Sequence, residues 1–147
     1  MLSKIFGRQR TSPAQDEIKA SPAGNRGDIL IVDDDSHLRE LLRATLEHKG
    51  YTVREGQDGA DALRLARERL PDLIVLDGNM PIVDGLDALK QLRTTRATAK
   101  IPVIMLTMRS HQVDMLTGYR YGAQEYLTKP IAVEQLLVSV KRLLGGR

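Results

Sequence analysis

Two uninterrupted aliphatic runs of strand length, Ile29-Leu30-Ile31-Val32 and Leu73-Ile74-Val75-Leu76, each end in aspartate, and this constrains the fold more than any other feature of the chain. Runs of that length and β-branched character suit strands covered on both faces, as in a parallel sheet. The residue just past such a strand emerges at the carboxyl edge of the sheet, where open α/β folds place their chemistry. Asp77 is therefore expected to be aimed out of the sheet rather than buried, opening the loop Gly78-Asn79-Met80-Pro81. Asp33, Asp34 and Asp35 follow the first run. If the two strands are neighbours, four carboxylates crowd one crevice, and a proton or a divalent cation is needed to relieve them.

From Asp28 onward, strand-like and helix-like segments alternate five times. A helix over 36–49, which Ser36 can cap, puts Leu38, Leu41, Leu42 and Leu46 on one face and ends at Gly50. A strand over 51–55 is followed by a helix over 58–69 with Ala62, Leu63, Leu65 and Ala66 inward. After the Asp72 strand comes a helix starting near Asp84-Gly85 with Leu86, Leu89 and Leu92, then a buried strand over 101–107. A weaker helix over 110–121, a strand over 125–128 and a helix over 133–144 complete the series. Such alternation implies a doubly wound α/β fold: a five-stranded parallel sheet with right-handed crossovers and five helices on its two faces.

At 147 residues the chain has one domain's worth of core. Residues 1–27 read as a disordered basic tail and linker, and 28–147 as the folded domain. Five basic groups against two acids give the tail its charge of +3, and the remaining basic and acidic residues cancel, so the basic balance belongs to the tail and is no argument for a nucleic-acid face on the folded part. Within the tail, Leu2, Ile5 and Phe6 have the spacing of a short amphipathic helix, the basis for a weak membrane-surface contact by residues 1–10. No apolar run approaches the ~20 residues of a membrane span. The absence of Cys removes thiolate chemistry and suits a cytoplasmic location.

Each strand that can reach the crevice ends in a side chain suited to metal or phosphate. Asp33 and Asp34 come from the first, Asp77 from the third, Thr107 from the fourth, and Lys129 follows the fifth. Carboxylates and loop carbonyls are hard ligands for Mg²⁺, while Lys129 and the Thr107 hydroxyl can hold phosphoryl oxygens. The chain at this point resembles a bacterial two-component response-regulator receiver domain. The motifs that carry the likeness are Ile29-Leu30-Ile31-Val32-Asp33-Asp34-Asp35, Leu76-Asp77-Gly78-Asn79-Met80-Pro81, Pro102-Val103-Ile104-Met105-Leu106-Thr107 and Gly122-Ala123-Gln124-Glu125-Tyr126-Leu127-Thr128-Lys129-Pro130. They stand in the family's order and spacing and cover residues 28–144.

The resemblance implies a flavodoxin-like strand order of 2-1-3-4-5. It implies that Asp77 is the phosphoacceptor, taking a phosphoryl group from a sensor histidine kinase or a phosphotransfer protein. Asp33, Asp34, Asp77 and the Asn79 carbonyl would bind Mg²⁺ (or Mn²⁺), with Asp33 acting through water. Lys129, Thr107 and the Met108 amide would contact the phosphoryl group, Thr107 and Tyr126 would form the switch, and the Lys129-Pro130 peptide would be cis. The chain would act as a phosphoacceptor rather than an enzyme. Departures from the family pattern are bulky Met108 after Thr107, Arg109 beyond it, and Ile131 in place of an aromatic; they bear on phosphoryl lifetime and partner fit.

Three rivals fare worse. A flavin binder needs a Gly/Ser/Thr phosphate cradle where Asp33 to Asp35 stand. A haloacid-dehalogenase-type phosphatase places its second acidic motif last, whereas Asp77 precedes Thr107. A degenerate receiver used only for docking has no need of intact Asp77, Thr107 and Lys129. With the chain stopping at Arg147, the expectation is a stand-alone regulator. Its output would pass to a protein target through the face built by 110–121, Tyr126 and 133–144, where Met115, Tyr119 and Ile131 supply anchors. The protein would be a monomer or a phosphorylation-dependent dimer, with no nucleic acid partner.

Overall fold

A computed structural model describes residues 25–80, 84–108 and 122–145. The five strands are β1 (Asp28–Val32), β2 (Thr52–Gly56), β3 (Leu73–Asp77), β4 (Val103–Met108) and β5 (Glu125–Lys129). All pair in parallel, in the order β2-β1-β3-β4-β5. Four helices lie among the described residues: α1 (Ser36–His48), α2 (Gly59–Glu68), α3 (Gly85–Thr94) and α4 (Val133–Leu143). The further helix expected over 110–121 falls outside them, as do Met115, Tyr119, Arg109 and the tail to residue 24.

Strand periodicity of two divides the core into two layers. Leu30, Val32, Ile74, Leu76 and Met105 point to the side covered by α2 and α3, through Ala62, Ala66, Ala88, Leu89 and Leu92. Ile29, Ile31, Val75, Ile104 and Leu127 point to the side covered by α1 and α4, through Leu42, Leu46, Leu136 and Val140. The central strands are buried on both faces, which is why their sequences show no alternation.

Helix starts depend on aspartates. Asp35, not Ser36, caps α1, accepting from the His37 and Leu38 amides at 3.0 and 3.3 Å. Asp58 and Asp84 cap α2 and α3 in the same way through the Asp61 and Asp87 amides. Gly50, at φ 98, turns the chain from α1 into β2, a conformation L side chains rarely adopt. Order begins earlier than Asp28: the Arg26 N–H donates to the Gly50 carbonyl at 2.8 Å, and Gly27, at φ 152, packs beside Leu144. Among the described residues no helix is long and apolar enough to cross a membrane.

Candidate functional site

The pleat decides which side chains meet at the carboxyl edge. Asp33, Asp77 and Lys129 each lie two residues beyond an inward side chain of the α1/α4 layer: Ile31, Val75 and Leu127. All three therefore emerge on one side of the sheet. Thr107 follows Met105 on the opposite pleat, and Met105 is in register with Tyr126, which puts Thr107 and Tyr126 together on the α2/α3 side.

Asp77 does not emerge into solvent as its position after an apolar run implied. It is the last residue of β3 and only 2% exposed, because the ladder continues past it: the Gly78 N–H donates to the Leu106 carbonyl at 2.8 Å. Gly85 at the start of α3 sits directly over this strand end, and a Cβ there would overlap the Asp77 carbonyl. Asp33 is fully buried, while Asp34 is exposed.

Lys129 is the counter-charge for both buried acids. Its Nζ lies 2.9 Å from Asp33 Oδ2 and 3.4 Å from Asp77 Oδ2. The Asp33 contact is an ion pair rather than an aligned hydrogen bond, and it leaves Asp33 Oδ2 buried with no hydrogen-bond partner. The other oxygens are satisfied by backbone: Asp33 Oδ1 accepts from the Asp35 amide at 2.9 Å, and Asp77 Oδ1 from the Asn79 amide at 3.0 Å.

One cation cannot neutralise this set. Burial is the main cause that pushes the Asp77 carboxyl up to about 6; the negative Asp33 adds to it, and the Asn79 N–H and Lys129 oppose it. Burial alone would pull Lys129 down, but the Asp33 and Asp77 carboxylates outweigh it and hold the ammonium above its ordinary value. Oxygen atoms of Asp33, Asp34 and Asp77 lie within 4.8 Å of one another. Three hard ligands this close together, with one ammonium between the two buried ones, fit a small divalent cation.

The remaining expected residues divide between contact and neighbourhood. Thr107 is buried, and among the described residues its hydroxyl donates to the Met108 carbonyl, at 3.4 Å. Met108 itself is 46% exposed at the rim of the crevice. Tyr126 is already buried, and with Thr107, Met105, Asn79 and Asp84 it lines a pocket of about 90 Å³. The Lys129-Pro130 peptide is cis.

Sequence reading missed two residues beside the acids. Arg39 donates from a terminal nitrogen to the Asp33 carbonyl at 2.7 Å and from Nε to Glu55 at 3.0 Å. Only a regular helix with Arg39 on the face toward β2 could have hinted at this, since Glu55 is sixteen positions away.

The comparisons with known proteins agree with this geometry. The family model for the response regulator receiver domain matches residues 29–141. The response regulator MprA of Mycobacterium sp. (strain KMS) is 44% identical over 116 residues, which are 79% of this chain and 50% of MprA. The chain thus spans about half the length of the curated relatives it matches. Among solved structures, the signal receiver domain of a signal transduction histidine kinase from Syntrophus aciditrophicus has a TM-score of 0.76 at 38% identity, covering 82% of this chain and 91% of that one. The chemotaxis response regulator CheY4 of Vibrio cholerae has a TM-score of 0.74 at 33% identity, covering 79% and 97%.

Proposed function

The chain belongs to the response regulator receiver domain family of two-component signalling, and on that premise we propose that Asp77 is its phosphoacceptor. The observation that carries this reading is the pair of buried carboxylates, Asp33 and Asp77, held under one ammonium at the carboxyl edge of the sheet. Such an arrangement is costly to stability and has no role in packing, whereas phosphoryl transfer needs charge neutralisation and in-line positioning above all.

In the reaction, a carboxylate oxygen of Asp77 attacks the phosphorus of a phosphohistidine on a sensor kinase or phosphotransfer protein. The P–N bond breaks, the imidazole nitrogen keeps the electron pair and takes a proton, and an acyl phosphate forms on Asp77. Asp33, Asp34, Asp77 and the Asn79 carbonyl would hold Mg²⁺ or Mn²⁺, which supplies positive charge against the carboxylates and the phosphoryl oxygens. Lys129 faces the Asp77 oxygen at 3.4 Å and neutralises the incoming group from its own side. The Thr107 hydroxyl, held at 3.4 Å to a carbonyl among the described residues, is placed to turn toward a phosphoryl oxygen, and the Met108 amide to bind another.

Phosphorylation takes the charge at Asp77 from about −1 to nearer −2. Thr107 and Tyr126 share one pocket, so a shift of the hydroxyl toward the phosphate changes what supports the tyrosine ring. The altered surface around Tyr126 and α4 is then read by another protein surface, with phosphorylation-dependent pairing of two receivers as one form of readout. CheY4 is spanned almost entirely and MprA by half, so the reading concerns the receiver as a unit in either setting. It makes the protein a cytoplasmic signalling phosphoacceptor rather than a turnover enzyme.

The test is uptake of label from a small phosphodonor in the presence of Mg²⁺. Wild type should be labelled and Asp77→Ala should not. An unlabelled wild type, or equal label on the variant, would overturn the assignment.

A further inference from the structure

Asp33 and Asp34 reach the crevice from a turn, and turns do not hold side chains to within a few tenths of an ångström without support. The support here is Arg39. Its backbone N–H closes the first turn of α1 on the Asp35 carbonyl at 3.0 Å, and its side chain folds back to donate to the Asp33 carbonyl at 2.7 Å. That carbonyl belongs to the peptide joining the two acids, so the bond fixes the plane from which the Asp34 side chain departs. On its other side the same guanidinium donates from Nε to Glu55 Oε1 at 3.0 Å. Glu55 is fixed in turn by Arg43, whose terminal nitrogen reaches Oε2 at 2.8 Å. The side chain of Arg39 is 12% exposed, whereas that of Arg43 is 44% exposed.

Stability alone does not call for this arrangement. The Asp33 backbone is already tied to the sheet through its N–H to the Gly56 carbonyl at 3.2 Å, and α1 is already capped by Asp35. What Arg39 adds is orientation of one peptide, and that peptide carries two of the three clustered carboxylates. A planar fork holds a carbonyl and a carboxylate in fixed relative directions, whereas an ammonium's rotatable donors fix neither plane.

We propose that Arg39, oriented by Glu55, is a positioning residue for the divalent cation, setting the Asp33-Asp34 peptide so that both carboxylates converge on it. This rests on the phosphoacceptor reading. Its effect should appear in cation affinity and in local order without cation, and should leave the chemistry at saturating Mg²⁺ largely intact.

The experiment is calorimetric titration of the full chain with Mg²⁺, together with amide exchange at Asp34 and Asp35 in EDTA. Arg39→Met should weaken Mg²⁺ binding by about tenfold, as loss of support behind metal ligands does, and should speed exchange at both amides. Phosphoryl uptake should then require more Mg²⁺ but approach the wild-type rate when Mg²⁺ saturates. Glu55→Gln should weaken binding less and add nothing to Arg39→Met. Arg43→Ala, which cuts only the exposed arm, should stay within about twofold. Arg39→Lys keeps the charge and stem without the fork, should fail to restore affinity, and serves as the variant if Arg39→Met does not fold. Wild-type affinity and exchange in a folded Arg39 variant, or an equal loss in Arg43→Ala, would overturn the proposal. A wild type that binds no Mg²⁺ and takes up no phosphoryl group would instead overturn the phosphoacceptor reading beneath it.

Discussion

Replacing Asp77 with asparagine should make the metal-free protein more stable. Asn keeps the shape of the carboxyl, and its Oδ1 can still accept the Asn79 N–H that now bonds Asp77 at 3.0 Å. What it removes is a buried negative charge beside Asp33. Burial chiefly, and then Asp33, carry the folded-state carboxyl from the ordinary 3.8 to about 6. Because the folded pKa is raised, the folded state holds the proton more tightly than the unfolded chain. Asp77 therefore costs nothing below pH 3.8, and its penalty grows as pH rises until it is complete above about 6. At about 1.4 kcal/mol per pKa unit, the full penalty is about 3 kcal/mol. For a domain of this size that corresponds to a rise in Tm of about 10 °C for Asp77→Asn at pH 7.5. Thermal unfolding followed by circular dichroism in EDTA, at pH 4 and pH 7.5, measures it directly. The gap should nearly close at pH 4, and added Mg²⁺ should narrow it at pH 7.5 by stabilising wild type through binding. A variant no more stable than wild type at pH 7.5, or equally stabilised at both pH values, would refute the account of Asp77 as a strained acid.

Lys129→Met should destabilise the metal-free protein by about 2–4 kcal/mol at pH 7.5 in urea titrations, since it strips the counter-charge from buried Asp33 and Asp77; acidification through about pH 6 should shrink the loss as the Asp77 carboxyl protonates. Gly85→Ala should cost about 2 kcal/mol or more, because its methyl group overlaps the Asp77 carbonyl. The same variant should take up label more slowly, as the acceptor strand end is displaced. Asp35→Ala should cost about 1 kcal/mol as a lost helix cap, while Ser36→Ala should stay within about 0.5 kcal/mol; the reverse order in urea denaturation would return the cap to Ser36.

The sheet was legible because burial on both faces leaves a plain mark: short aliphatic runs, each punctuated by a polar residue. Asp33, Asp77, Thr107 and Lys129 could be read as convergent from those punctuation points. The depth of Asp77 could not. Strand length depends on how far a partner continues, and β4 still flanks β3 at its last residue, with Asp77 in register with Leu106 and the Gly78 N–H on the Leu106 carbonyl. At the other end β4 starts at Val103 rather than 101, since Pro102 has no N–H for the ladder, although its carbonyl accepts from Ile74 at 3.0 Å. The one-residue slip in β2, Thr52–Gly56 against 51–55, reflects Tyr51 being buried without joining the ladder. Arg39 and Glu55 left no local trace, because a guanidinium that bonds a backbone carbonyl looks in sequence like any solvated helix charge.

The contact between Gly27 and Leu144 joins the two ends of the folded unit. A Cβ on Gly27 would lie 3.0 Å from Leu144 Cδ1, so the polypeptide enters β1 and leaves α4 at one spot. That spot is on the amino edge of the sheet, a strand length of roughly 16 Å from the acids at about 3.3 Å per residue. Bridged by a few residues, the domain becomes a closed ring that can be reopened at an exposed turn, and a circular permutant of this kind should keep the sheet order intact. Both points of attachment lie at the edge of the sheet opposite Asp77.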